Sequence, residues 1–214
     1  MNRNGGSLPP RLPDLSQILK ALQRMDASFT IVALSYRGFW TSRGSASERG
    51  IKLDAEAAIS WVHKKFPGAS IILWGQSIGA GVATSTAASV HPEKSRVDAL
   101  ILETPFTSIR DMLTAMYPQK WLPYRYLHPF LRNHWDSREA LRRLSDKPQI
   151  LILAAERDEL VLAGDAGELE SVCMANDIPA KRIVIPGALH HEVLTKPQGR
   201  KAIVDFLTSF SHPP

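Results

Sequence analysis

The sequence predicts an α/β fold, a mostly parallel sheet with helices on both faces. Three observations carry this. Short, continuously apolar runs of strand length recur along the 214 residues, as strands buried on both faces require. Between them lie longer stretches with apolar residues at helical spacing. One apolar run, Ile71 to Trp74, passes through Gly75-Gln76-Ser77-Ile78-Gly79 into an alanine-rich, proline-free stretch, Ala80 to Ser89. That is a strand, a tight turn and a helix in immediate succession.

The elements follow in order. Leu15, Ile18, Leu19, Leu22 and Met25 recur at helical spacing after Pro13-Asp14, giving one amphipathic helix. Phe29 to Ser35 is β-rich and apolar, a buried strand, and Tyr36-Arg37-Gly38 to Gly50 reads as a long loop rich in glycine and serine. Ile59, Val62 and Phe66 mark a second helix, from near Asp54 to before Pro67-Gly68. After the turn and its helix come a third strand at Ala99 to Glu103, a fourth at Gln149 to Ala154 and a fifth at Arg182 to Ile185. Further helices are expected at Asp165 to Ala175 and at Lys201 to Phe210, the latter with Ile203, Phe206, Leu207 and Phe210 on one face.

One segment breaks the rhythm. Thr104 to Lys147 holds no strand pattern but much aromatic and basic material, including Trp121-Leu122-Pro123-Tyr124-Arg125-Tyr126. The expectation is one domain over residues 1–214 with an insertion at 105–147 after the third strand. Ligands bind outside the carboxyl ends of strands in open parallel sheets, so the insertion is a lid candidate. The alternative is a surface excursion with a small core of its own. Its aromatics and basic residues also suit a membrane surface or an acyl chain.

Composition excludes several classes. With 44% hydrophobic and 22% charged residues the chain is an ordinary globular one. The net charge of +5 is scattered rather than striped, so no nucleic-acid partner is expected, while an anionic membrane surface stays open. Cys173 is the only cysteine, so no internal disulfide forms. No run reaches the roughly 18 to 20 apolar residues of a membrane span, and the expectation for the chain as given is a soluble, cytoplasmic protein. Gly79-Ala80-Gly81 lacks the later glycine and the Lys-Ser/Thr of a phosphate cradle. No metal cluster is apparent either, so neither metal nor cofactor is expected.

The chemistry centres on Ser77. Glycine at Gly75 and Gly79 clears side chains from a turn so sharp that its central residue is strained, leaving the Ser77 hydroxyl at a helix N-terminus, which favours developing negative charge. The pentapeptide alone decides little, since about one chain in fifteen of this length holds it by chance. What decides is whether a base and an acid follow. A serine hydroxyl needs a base to take its proton, and the base needs a third group to orient it. Of seven histidines, His190 and His191 lie in a loop between the last strand and the last helix, where a base reaches back over the strand ends. The acid is sought in the loop after the preceding strand, where Asp158 is preferred to Glu156 and Glu159. Ser77, Asp158 and His190 then follow three of these strands in the chain order of a known hydrolase class.

The chain resembles an α/β-hydrolase and is similar, more closely, to the eukaryotic membrane-anchored α/β-hydrolase-domain proteins of the bud-emergence type, often labelled serine aminopeptidase-like. The resemblance runs through Asn4-Gly5-Gly6-Ser7, Arg11-Leu12-Pro13, Tyr36-Arg37-Gly38, Gly44-Ser45, the Ser77 pentapeptide, Glu103-Thr104-Pro105-Phe106-Thr107-Ser108, Trp135-Asp136-Ser137 and Glu156-Arg157-Asp158-Glu159-Leu160-Val161. It implies Ser77 as nucleophile, His190 as base and Asp158 as orienting acid. The oxyanion hole would be the Ile78 N–H with a second donor near Asn4. Where relatives read His-Asn-Asp, this chain reads His190-His191-Glu192, which keeps His191 in play as the base. Relatives also carry a membrane anchor, a β-hairpin and a strand ahead of the Asn4 loop. The resemblance therefore implies an N-terminally truncated sheet, lacking its first strands, with one missing member between Phe29–Ser35 and Ile71–Trp74.

The expected function is ester or thioester hydrolysis of a lipid-like or acylated substrate through an acyl-serine intermediate. A peptidase-type serine hydrolase and a non-catalytic remnant acting as an interaction domain are the alternatives. Oligomeric state is unknown from the sequence.

Overall fold

Four of the five apolar runs pair into one sheet in the computed structural model, which describes residues 9–25, 27–90, 96–116 and 133–210. The strands are β1 (Ile72–Gln76), β2 (Ala99–Glu103), β3 (Gln149–Ala155) and β4 (Ala180–Ile185), all parallel, in the order β1-β2-β3-β4. Every carboxyl end therefore lies along one edge of the sheet.

Alternation along the strands builds a core on each face. Leu100, Leu102, Ile150 and Ile152 point to one side, packed with Ala80 and Ala83 of α3 (Ile78–Ser89), Leu141 of α5 (Ser137–Arg142) and Leu169, Val172 and Cys173 of α6 (Asp165–Ala175). Ile101, Leu151, Leu153 and Ile185 point to the other, against Ile18 and Leu22 of α1 (Leu12–Arg24) and Ile203, Val204 and Leu207 of α7 (Pro197–Thr208). Each such side chain taken from water contributes about 1.5–3 kcal/mol. A third cluster joins Ile51 and Ala55 of α2 (Glu48–Lys65) to Val82, Phe106, Trp135 and Val161.

The run expected as a strand at Phe29–Ser35 is not one. It belongs to no ladder, and among the described residues β1 pairs only with β2. Its side chains pack instead: Phe29 against the α1/α7 core, Leu34 and Tyr36 against the third cluster. Strand propensity describes a fit to a pleated, half-buried surface and does not create the neighbour that completes it.

The second helix starts earlier than expected, at Glu48 rather than near Asp54. Ser47 caps it, its hydroxyl accepting from the Gly50 N–H at 3.1 Å. Gly50 looked like loop, but a Cβ there would lie 2.7 Å from Arg37 Cδ, and Arg37 is paired with Asp54 at 2.7 Å. The glycine serves that contact.

Within the expected insertion, the flanks form α4 (Ile109–Met116) and α5, and residues 117–132 lie outside the described residues. The returning stem is tied down. His134 N–H and Trp135 N–H donate to Glu48 Oε2 at 2.5 and 3.1 Å, and buried Trp135 lies against Gly81 of α3. No helix among the described residues is long and apolar enough to cross a membrane.

Candidate active site

Ser77 joins β1 to α3 with φ 54° and ψ −116°, a backbone region that costs a non-glycine residue about 1–3 kcal/mol. Such strain persists only where the surroundings over-determine it. The Ser77 N–H donates to the Glu103 carbonyl at the end of β2 at 2.9 Å, and the Ser77 carbonyl accepts from Ala80 N–H at 2.9 Å. Gly75 is required by close approach: a Cβ there would lie 2.0 Å from the Gly79 carbonyl oxygen. Gly79 differs from expectation, since a Cβ on it would meet nothing within 4 Å. The turn is tight because the Gly79 backbone occupies the space over Gly75, not because Gly79 must lack a side chain.

Ile78 opens α3, so its N–H belongs to the first turn, whose donors have no intrahelical acceptor. Asn4, the expected second donor, lies outside the described residues.

Two strands away, the loop after β3 organises the loop after β4. Glu156 Oε2 accepts from Gly187 N–H at 2.8 Å, Arg157 N–H donates to the Ala188 carbonyl at 2.9 Å, and Glu159 Oε2 accepts from His190 N–H at 3.0 Å. These bonds deliver the His190 ring to Asp158. Nδ1 lies 2.9 Å from both Asp158 oxygens, with the side chains only 1% and 7% exposed. Asp158 Oδ1 also accepts from Leu160 N–H at 2.9 Å and Val161 N–H at 2.8 Å. Burial alone would raise the Asp158 carboxyl. His190 and the two backbone donors outweigh it and hold the carboxyl below its ordinary range.

The structure thus separates the neighbours that sequence left open. Asp158, not Glu156 or Glu159, takes the imidazole, while both glutamates hold backbone N–H groups of the histidine loop. His190, not His191, is turned to the acid. The exposed His191 ring stands edge-on to it at 4.7 Å. Burial, His190 and Arg11 together lower the His191 pKa against the pull of Glu159 and Asp158.

His190 Nε2 is buried and has no hydrogen-bond partner among the described residues. No hydrogen bond joins Ser77 to His190. A neutral imidazole with its Nδ1–H fixed on a carboxylate carries its free lone pair on Nε2. That lone pair, at the sheet edge that carries Ser77, is what can accept a proton. Among the described residues no group of three or more His, Cys, Asp or Glu is arranged to hold a metal ion.

Sequence reasoning missed a second buried polar group at this edge. Glu103 is fully buried, and its Oε1 accepts from Arg11 Nη2 at 2.6 Å and from Trp74 Nε1–H. Burial pushes its carboxyl up against the opposing pull of Arg11 and Trp74. Two sequence signals pointed here: a charged residue ending an otherwise apolar strand, and the segments starting at Arg11 and Glu103 that carry the family resemblance.

Comparison with known proteins agrees with this fold. A family profile described as alpha/beta hydrolase fold matches residues 13–149. The chain is 31% identical over 206 residues to Protein bem46 of Schizosaccharomyces pombe, covering 95% of this chain and 64% of that protein. It is 30% identical to Protein ABHD12B of Homo sapiens, covering 86% and 53%. It is 35% identical to lysophosphatidylserine lipase ABHD12 of Danio rerio, covering 68% and 39%. The chain spans 39 to 64% of the length of these three relatives. Among solved structures, Pyrococcus furiosus esterase Pf2001 superposes with TM-score 0.69 at 19% identity, over 94% of this chain and 76% of that one. An alpha-beta hydrolase from Vibrio vulnificus superposes with TM-score 0.73 at 20% identity, over 92% and 68%. At such identities the likeness speaks for the fold.

Proposed function

The chain belongs to the α/β-hydrolase fold family, and from that premise we propose that it is a serine hydrolase cleaving an ester or thioester of a lipid-like or acylated substrate. The observation that carries the reading is the buried Asp158–His190 pair with its unpartnered Nε2, at the strand ends that also present strained Ser77. Asp158 keeps the proton on Nδ1. His190 Nε2 takes the Ser77 proton as Oγ attacks the substrate carbonyl, and the oxyanion forms against the Ile78 N–H at the start of α3. The resemblance adds a second donor near Asn4. The tetrahedral intermediate collapses, His190 returns the proton to the leaving alcohol or thiol, and an acyl-serine remains. Water, deprotonated by the same Nε2, then releases the acid and restores Ser77.

Support for the substrate class comes from a sequence relative whose name describes a lysophosphatidylserine lipase. Exposed Leu160, Leu162 and Leu189 flank Asp158 and His190 in sequence and suit an acyl chain. The test is a matched panel of oxygen ester, thioester and amide sharing one acyl group, turned over by the parent chain and by Ser77→Ala. Ester or thioester turnover that vanishes in Ser77→Ala supports the reading. Turnover of the amide alone, or ester turnover that survives the substitution, overturns it.

A further inference from the structure

Arg11 reaches the ends of two strands at once. Its Nη1 donates to Gln76 Oε1 at 2.7 Å and its Nη2 to Glu103 Oε1 at 2.6 Å. Gln76 and Glu103 are register partners on β1 and β2, so their side chains leave the sheet on one face, the α1/α7 face. Trp74, two residues before Gln76, shares that face. Its Nε1–H donates to the same Glu103 oxygen, and its ring lies 5.8 Å from the Arg11 guanidinium carbon. The Arg11 side chain is 26% exposed and that of Glu103 0%.

Stability gives this cluster little reason to exist. A buried ion pair seldom outperforms apolar side chains of the same volume, and Glu103 Oε2 is buried without a partner among the described residues. Its location gives a better reason. Gln76 is bonded through the peptide to Ser77, and the Glu103 carbonyl takes the Ser77 N–H at 2.9 Å. The two residues that hold Ser77, one by a covalent bond and one by a main-chain hydrogen bond, are therefore bridged by one planar guanidinium. A fork with fixed geometry sets the spacing and rotation of the two strand ends, which a lysine ammonium, a point charge on a flexible stem, does not. The residue between them sits at φ 54°, where it stays only if its neighbours are held.

We propose that Arg11 and Glu103 are positioning residues for Ser77: the guanidinium clamps the ends of β1 and β2 through Gln76 and Glu103 and so fixes where the Ser77 hydroxyl points. The inference rests on Ser77 being the nucleophile. The clamp acts on the attacking atom and not on substrate affinity, so its loss lowers kcat and leaves KM alone. A misplacement of about 1 Å at a reacting atom costs on the order of 100-fold.

The test measures the rate of Ser77 labelling by a fluorophosphonate, with kcat and KM for an activated ester, in three variants of the full chain. Arg11→Lys keeps the charge and loses the fork. Arg11→Met combined with Glu103→Leu removes both charges and avoids a lone buried carboxylate. Gln76→Met cuts only the arm to the turn and keeps the ion pair. The double variant, which also leaves the Trp74 Nε1–H without its acceptor, should still fold, yet label Ser77 at least about 10-fold more slowly, with kcat reduced and KM within about twofold. Arg11→Lys should fall between the two, and Gln76→Met should label several-fold more slowly even if the double variant does not fold. Folded variants that label Ser77 at the parental rate overturn the clamp, as does a loss expressed in KM alone. A parent chain that is not labelled at all overturns the reading of Ser77 itself, a result distinct from either.

Discussion

Replacing Asp158 by asparagine separates the carboxylate's chemistry from its architecture. Asp158 Oδ1 accepts from Leu160 and Val161 N–H at 2.9 and 2.8 Å, and the His190 Nδ1 lies 2.9 Å from both oxygens. In Asp158→Asn the amide oxygen stays on the two backbone donors, because an NH2 there would face two N–H groups. The NH2 must then occupy the other position and face His190 Nδ1. A donor facing Nδ1 makes that nitrogen an acceptor and moves the ring proton to Nε2, where it blocks uptake of the Ser77 proton. The loop keeps both backbone bonds, so the fold survives. The expected loss is about 10⁴-fold in kcat, or about 5 kcal/mol of transition-state stabilisation, with KM changed by no more than a few-fold. The assay is steady-state hydrolysis of a nitrophenyl ester, with thermal melting to verify folding. A folded Asp158→Asn chain within tenfold of the parental kcat would refute the tautomer argument.

Other substitutions probe the scaffold. Gly75→Ala places a Cβ 2.0 Å from the Gly79 carbonyl, so urea denaturation should show a loss of about 3 kcal/mol or more, with Ser77 labelling abolished. Gly79→Ala meets open space in a helix and should leave stability unchanged or raise it by up to about 1 kcal/mol. Asp165 is buried, accepting from Thr107 N–H at 3.2 Å, and burial, with Glu168 and Asp111, raises its pKa against the pull of Thr107 and Arg138. A carboxyl whose folded pKa lies above its unfolded value binds its proton more tightly in the fold, so it opposes folding increasingly as pH rises through that window. Asp165→Asn should therefore melt above the parent at neutral pH, with the difference closing by about pH 3, below the unfolded value. An advantage that persists in acid would contradict this.

Much of the molecule is legible in its sequence because its signals are local. The runs at Ala99–Glu103 and Gln149–Ala155 are buried on both faces, and continuous apolarity reports that directly. Ser77, Asp158 and His190 can be grouped as candidates because a parallel sheet brings strand ends to one edge, so chain order substitutes for proximity. Phe29–Ser35 carries the same signal without becoming a strand, since pairing depends on a neighbour that composition does not describe. Choosing His190 over His191 needs a loop geometry set by backbone bonds to Glu156, Arg157 and Glu159, which no side-chain pattern encodes. Arg11 and Glu103 are 92 residues apart and were invisible as a pair. A lone arginine before a helix and a glutamate ending a strand each have ordinary surface explanations, and only register on adjacent strands joins them.

The proposed chemistry requires above all that Ser77 be a nucleophile served by the Asp158–His190 pair. Mapping the covalent adduct of a fluorophosphonate by peptide mass spectrometry tests it most directly. One adduct is expected, on Ser77, absent from Ser77→Ala and formed at least about 100-fold more slowly in His190→Ala. An adduct on another residue, or labelling of Ser77 at the parental rate without His190, would contradict it.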